Sequence, residues 1–140
     1  FFLDNNLTLG AFFYTGTASK VGANDERFTV YGGDADYWLD RLILNGAMMQ
    51  MKSNITGATA RTSTVFYVQA NYVIYPWLIG LARHEYADSD NDSKNPVRAI
   101  IPGVTVMARA NVKLMLEFKK GLDEANKKND TFVFQINFGF

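Results

Sequence analysis

The sequence predicts an all-β fold, an antiparallel transmembrane β-barrel with about eight strands in this chain, and three observations lead there. The last ten residues, Thr131 to Phe140, alternate strictly between large apolar and polar or small side chains. Long polar intervals and very short turns succeed one another along the chain, the loop pattern of barrels that cross an outer membrane. The longest apolar run, Tyr72 to Ala82, is interrupted by Pro76 and falls well short of the roughly 20 residues a spanning helix needs.

Composition narrows the field. The 140 residues are 48% hydrophobic and 20% charged, too apolar for a disordered tail. Fourteen Lys and Arg balance fourteen Asp and Glu, so no basic excess recruits nucleic acid and none is expected as a partner. The absence of cysteine excludes disulfides, thiolate metal sites, a cysteine nucleophile and covalent c-type haem on this chain, and no cofactor is expected. A mean hydropathy of -0.09 is neutral on membrane insertion, because each spanning strand pairs its lipid-facing residues with an equal share of interior ones.

From the start, Phe1 to Leu3 followed by Asp4, Asn5 and Asn6 reads as the tail of an earlier strand and its turn. No basic segment with an apolar core opens the chain. Residues 1–140 are therefore expected to be a single segment, the carboxyl-terminal part of a larger barrel. Strands follow at Leu7 to Thr17, Arg27 to Trp38 and Leu42 to Ser53; in the second, Asp34 and Asp36 share one face and Tyr31, Gly33, Ala35 and Tyr37 the other. Thr64 to Tyr75 and Trp77 to Tyr86 form a pair about a tight turn at Pro76. Placing Arg83 and Glu85 inward turns Leu78, Gly80, Ala82, His84 and Tyr86 outward.

Arg98 to Met107 is the next strand, and Pro102, which has no N–H to give a ladder, predicts a bulge or a local edge within it. A short turn near Ala108 to Ala110 leads to a strand with Val112, Leu114, Leu116 and Phe118 on one face and Asn111, Lys113, Met115, Glu117 and Lys119 on the other. In the last strand Phe132, Phe134, Ile136, Phe138 and Phe140 oppose Thr131, Val133, Gln135, Asn137 and Gly139. Long loops are expected near Ala18 to Glu26, Asn54 to Thr62, Ala87 to Val97 and Gly121 to Asp130.

The polar faces give the interior candidates. Asp34, Asp36, Asn45, Gln69, Asn71, Arg83, Glu85, Lys113, Glu117, Lys119, Gln135 and Asn137 are expected to face a lumen, where water solvates groups that lipid cannot. Three of these are cations and four are carboxylates, a mixture that predicts no strong ion selectivity. Tyr37, Trp38, Tyr75, Trp77, Tyr86, Phe138 and Phe140 lie near strand ends and are expected to form aromatic girdles at the membrane interfaces.

Asp88, Asp90 and Asp92 space their carboxylates as a calcium loop does, but the sixth and twelfth positions, Ser93 and Ala99, lack the Gly and Glu an EF-hand requires. The segment reads as a solvated loop rather than a metal site. His84 is the only histidine, and its predicted face is opposite the interior carboxylates. A hydrolytic triad fails on that geometry, and no enzyme is expected. Gly32-Gly33 is followed by no phosphate-binding pattern.

The whole chain resembles the carboxyl-terminal half of a Gram-negative outer-membrane porin. Phe140, with Phe138 and Phe134 near it, looks like the signal read by the barrel assembly machinery. The resemblance implies an outer-membrane wall with a periplasmic carboxyl terminus, permitting passive passage of small solutes. Over the second half, Tyr75-Pro76-Trp77-Leu78-Ile79, Ile101-Pro102-Gly103-Val104 and Arg109-Ala110-Asn111-Val112-Lys113-Leu114 are similar to the barrel subunits of porin-cytochrome conduits. That likeness implies a sheath around a multihaem cytochrome. A complete small barrel acting as an anchor or adhesin, and a soluble lipid-binding barrel, stand as further alternatives.

Overall fold

The computed structural model describes residues 2–4, 6–19, 25–55, 60–89, 96–123 and 130–139. They form nine strands: β1 (Phe2–Asp4), β2 (Leu7–Ser19), β3 (Asp25–Leu39), β4 (Leu42–Ile55), β5 (Arg61–Tyr75), β6 (Leu78–Ser89), β7 (Val97–Arg109), β8 (Val112–Gly121) and β9 (Thr131–Phe138). All belong to one sheet in which each strand pairs antiparallel with the next in sequence, and β1 and β9 are its edges. This is an all-β antiparallel wall, eight long strands preceded by the short β1.

Several strands outrun their expected limits, mostly toward the long intervals: β2 reaches Ser19, β3 starts at Asp25, β4 reaches Ile55 and β6 reaches Ser89, while β3 and β7 also run on to Leu39 and Arg109 at the short turns. The added residues are mostly polar. Backbone pairing continues past the point where apolar alternation stops, because the ladder needs only N–H and C=O groups. Trp77, expected to open a strand, sits instead in the turn with Pro76.

Pro102 makes neither a bulge nor an edge. β7 is interior to the sheet, Pro102 pairs with Ala82 of β6, and on the β8 side Ile100 faces Lys120 and Gly103 faces Glu117 in one unbroken register. Ile101 and Pro102 have no bridge partner on β8. The ring nitrogen therefore withholds one ladder hydrogen bond from β8 while flanking pairs hold the register.

At the short-turn end the hairpins are stitched together by the turns. Trp38 N donates to Asn6 O at 2.8 Å, Val73 N to Arg41 O at 2.8 Å, Met107 N to Trp77 O at 2.8 Å and Gly139 N to Asn111 O at 2.9 Å. In each case a turn carbonyl accepts from the strand beyond its own hairpin. Asp40, in the turn between β3 and β4, has φ 49°, a left-handed conformation that Asp tolerates better than most side chains.

The same registers reveal a stagger. Leu7 lies opposite Tyr37, two residues short of the end of β3; Leu42 lies opposite Tyr72, three short of the end of β5; Leu78 lies opposite Val106, three short of the end of β7. A climb of two to three residues for every two strand spacings corresponds to a strand tilt of about 40°. That tilt is the one closed barrels require.

The two faces differ in charge, although the charged face also carries exposed apolar side chains such as Phe12, Tyr14 and Met49. Every buried residue outside the turns and loops, namely Ser53, Leu81, Ala99, Ile101, Thr105, Glu117 and Gly121, lies on the face that carries the charged side chains. Curvature crowds the side chains of that face against one another. The opposite face is apolar and uncovered, with Phe13 71% and Phe132 66% exposed. Among the described residues no second layer covers that surface.

Candidate functional site: the polar face

All twelve residues expected to face a lumen fall on one face. Cross-strand partners share a face, and the registers connect Asp36 to Asn45, Asn45 to Gln69, Gln69 to Arg83, Gly103 to Glu117 and Lys113 to Asn137. Asp34 faces Gly10 and Ala47 from the same side of β3. Period-two spacing in each strand places Asn71, Glu85, Lys119 and Gln135 with them.

Most of these side chains join one hydrogen-bonded chain. Asn45 Nδ2 donates to Asp36 Oδ1, Asn71 Nδ2 to Asn45 Oδ1 at 2.7 Å, and Gln69 Nε2 to Asn71 Oδ1 at 2.8 Å. Arg83 Nη1 then donates to Gln69 Oε1 at 3.3 Å. Its Nη2 reaches Glu117 Oε2 at 3.0 Å and its Nε lies 2.9 Å from Glu85 Oε1. Lys119 Nζ closes the series on Glu85 Oε2 at 2.8 Å. Gln135 Nε2 donates to Asn137 Oδ1 at 2.8 Å on β9, apart from this chain.

The charged end of the series crosses over β7. Arg83 and Glu85 stand on β6 and Glu117 and Lys119 on β8, so their pairs arch above the strand between. Beneath the arch lie Ala99, 1% exposed, and Ile101, 2% exposed. Gly103 opens the space for Glu117: a Cβ there would stand 2.7 Å from Leu116 O and 3.0 Å from Glu117 Cγ. Two cations meet two carboxylates, and Glu117 is nearly enclosed with its side chain 8% exposed. Partial burial strengthens these contacts over those of free surface pairs, yielding a rigid and locally neutral patch.

Sequence patterning misses Leu81, Ile101 and Gly103 as parts of this patch. Leu81 and Ile101 are apolar residues on a polar face, and only their phase with Arg83 and Glu117 could have placed them. Gly103 carries a usable signal, since an isolated glycine in a strand marks close approach by a neighbour.

The aromatic candidates sort by position. Tyr37 lies on the apolar face opposite Leu44. Trp38 is a correction: it pairs with Ile43 on the polar face, because adjacent strand residues point to opposite sides and it cannot share an outward ring with Tyr37. A bulge between Val73 and Tyr75 sets Tyr75 opposite the apolar-face residue Leu78, re-aiming the ring as bulges do. Tyr75 stacks on Trp77 with centroids 5.6 Å apart and planes 6° from parallel. Phe138 ends β9 near that rim, opposite Val112. Tyr86 lies toward the other rim, and its hydroxyl donates to Asp88 Oδ2 at 3.2 Å. Phe140, Asp90 and Asp92 lie outside the described residues.

His84 is on the apolar face between Val68 and Ile100, with its ring 5.9 Å from Phe66. The sheet separates it from Asp34, Asp36, Glu85 and Glu117. Among the described residues no group of three or more His, Cys, Asp or Glu side chains is placed to hold a metal ion.

No protein-family model matches the sequence, and no curated protein is similar to it. Among solved structures the chain is similar to OmpT of Vibrio cholerae, an outer membrane protein folded in vitro and determined in a trimer form, with 14% identity and a TM-score of 0.63. The likeness covers 97% of this chain and 48% of that one, so this chain spans about half the length of the protein it matches. The shared feature is the fold, that of an outer-membrane β-barrel wall.

Proposed function

We propose that this chain is wall from an outer-membrane, porin-like channel through which small solutes pass passively. The observation that carries the reading is the hydrogen-bonded polar series from Asp36 to Lys119 on the face opposite an uncovered apolar surface. A face of amides and paired charges stays wetted, and the other face suits hydrocarbon. The polar face then lines the lumen, and the aromatic rim at Tyr37, Tyr75, Trp77 and Phe138 sits at one membrane interface, with the carboxyl terminus periplasmic. The open edges at β1 and β9 pair with further strands to close the barrel.

The reading assigns no catalysis, since His84 and the carboxylates of the polar series occupy opposite sides of the sheet. The test is single-channel recording of the full-length protein in a planar bilayer. Stepwise, ohmic conductance supports a channel. Protein that inserts but never conducts refutes it and favours a plugged anchor.

A further inference from the structure

The apolar face holds an open groove of about 960 Å³ across β2 to β5. Met48, Phe66 and Val68 wall it, and its floor is bare where Gly33, Ala35 and Gly46 carry little or no side chain. A Cβ added at Gly46 would meet nothing nearer than 3.5 Å. Packing within the sheet therefore leaves this space unfilled.

Above the groove, on the same strands, are two exposed cations. Lys52 pairs with Thr29 and Arg27 with Asn54, which makes Arg27 and Lys52 diagonal neighbours on the apolar side of β3 and β4. Lys52 Nζ lies 5.8 Å from the centroid of the Tyr31 ring. Among the described residues neither cation is ion-paired with a carboxylate. Lys52 is ten residues along β4 from Leu42; at 3.3 Å per residue and a tilt of about 40° it stands about 25 Å above the short-turn rim. That is the height of the apolar band of an outer-membrane barrel. The pair thus lies at the headgroup level of the far leaflet, and the groove, at Gly46 and Met48 four and six residues along β4 from Leu42, lies about 10–15 Å above the short-turn rim, in the middle of the hydrocarbon.

We propose that the groove and the cation pair seat one phosphorylated lipid, its phosphate bridging Arg27 and Lys52 and an acyl chain lying between Met48 and Val68. An anion between two neighbouring cations relieves their repulsion, and guanidinium binds phosphate oxygens in a fork. The inference rests on the reading that the apolar face meets lipid. A similar pair on β7 and β8 serves as its control. Arg98 and Lys120 are also diagonal neighbours, with Arg98 5.9 Å from the Tyr86 ring. There Asp88 and Asp123 stand close by, bonded to Tyr86 and to Arg98 N, so the local charge is offset.

The full-length protein, reconstituted in vesicles of dioleoylphosphatidylcholine with one tenth dioleoylphosphatidic acid, is extracted in mild detergent and its retained lipid is weighed by native mass spectrometry. Phosphatidic acid is expected to be retained in preference to phosphatidylcholine. The R27Q/K52Q double variant should lose that preference fivefold or more, and R98Q/K120Q should lose less than twofold. Gly46→Leu, which fills the groove, should lower retention of the lipid with both cations present. Equal retention of the two lipids, or an unchanged preference in R27Q/K52Q, overturns the proposal; so does a Gly46→Leu variant that alters oligomeric state while retaining lipid normally. Co-flotation with the vesicles separates the two readings: protein that does not float refutes membrane insertion itself, whereas floating protein without lipid preference refutes only the seat.

Discussion

Removing Arg83 tests the arch over β7 most directly. The guanidinium contacts Glu117 at 3.0 Å, Glu85 at 2.9 Å and Gln69 at 3.3 Å, while Glu117 is 7% exposed overall. Arg83→Met keeps the stem and deletes the charge, leaving Glu117 enclosed without a cation. A charge-assisted hydrogen bond contributes about 1.5–3 kcal/mol, and breaking a fully buried pair costs about 3–5 kcal/mol. Water on the polar face moderates the loss, so about 2–3 kcal/mol is expected. Lys119→Met removes a side chain that is 42% exposed and makes one ion pair, and should cost under about 1 kcal/mol.

The double variant Arg83→Met/Glu117→Met removes both charges, and replacing a pair by apolar side chains is close to neutral. It should recover at least half of the Arg83→Met loss. Urea unfolding of the full-length wild type, Arg83→Met, Glu117→Met and the double variant in detergent micelles supplies the four free energies of the cycle. Equal costs for Arg83→Met and Lys119→Met, or a double variant no more stable than Arg83→Met alone, would refute the arch as the source of local rigidity.

Other substitutions probe separate features. Gly103→Ala places a Cβ 2.7 Å from Leu116 O and should cost about 1–3 kcal/mol by overpacking, read as a lowered urea midpoint. Asp40 holds φ at 49°; Asp40→Gly should be neutral or stabilising, while Asp40→Val should cost about 1–2 kcal/mol, and equal midpoints for the two would contradict a left-handed requirement. Pro102→Ala restores an N–H facing β8 and should add up to about 1 kcal/mol, with the new amide protected in hydrogen exchange; a fast-exchanging amide would show that the nitrogen faces elsewhere.

The legible part of the fold was whatever period two could carry. Thr131 to Phe140, Val112 to Lys119 and Thr64 to Tyr75 each have one apolar and one polar face, and pairing in chain order followed from the short turns between them. The strand ends were not legible, because residues such as Ser19, Asn54 and Ser89 have no apolar partner rows to betray their pairing. The polar face could be assembled residue by residue, yet its bonding could not. Arg83 and Glu117 are 34 positions apart, and their contact depends on the register of an intervening strand and on the missing side chain of Gly103. Trp38 was misplaced because proximity to a strand end says nothing about face, whereas its neighbour Tyr37 fixes it.

The stagger between hairpins has a consequence for anything moving along the polar face. Hydrogen-bonded rows in a tilted sheet are ramps: Asp36 lies three residues from the short-turn end of its strand, and Lys119 lies seven from the start of β8. At a tilt of about 40° that difference is a rise of about 10 Å. In the proposed channel the amides and charges therefore form a spiral stair, not a ring at one depth. A solute moving down from the loop side meets the Lys119–Glu85 step first, then the Arg83–Glu117 step, and reaches the Asp36–Asn45 step last. It exchanges hydrogen bonds one partner at a time, with no single narrow plane at which all its water must be shed.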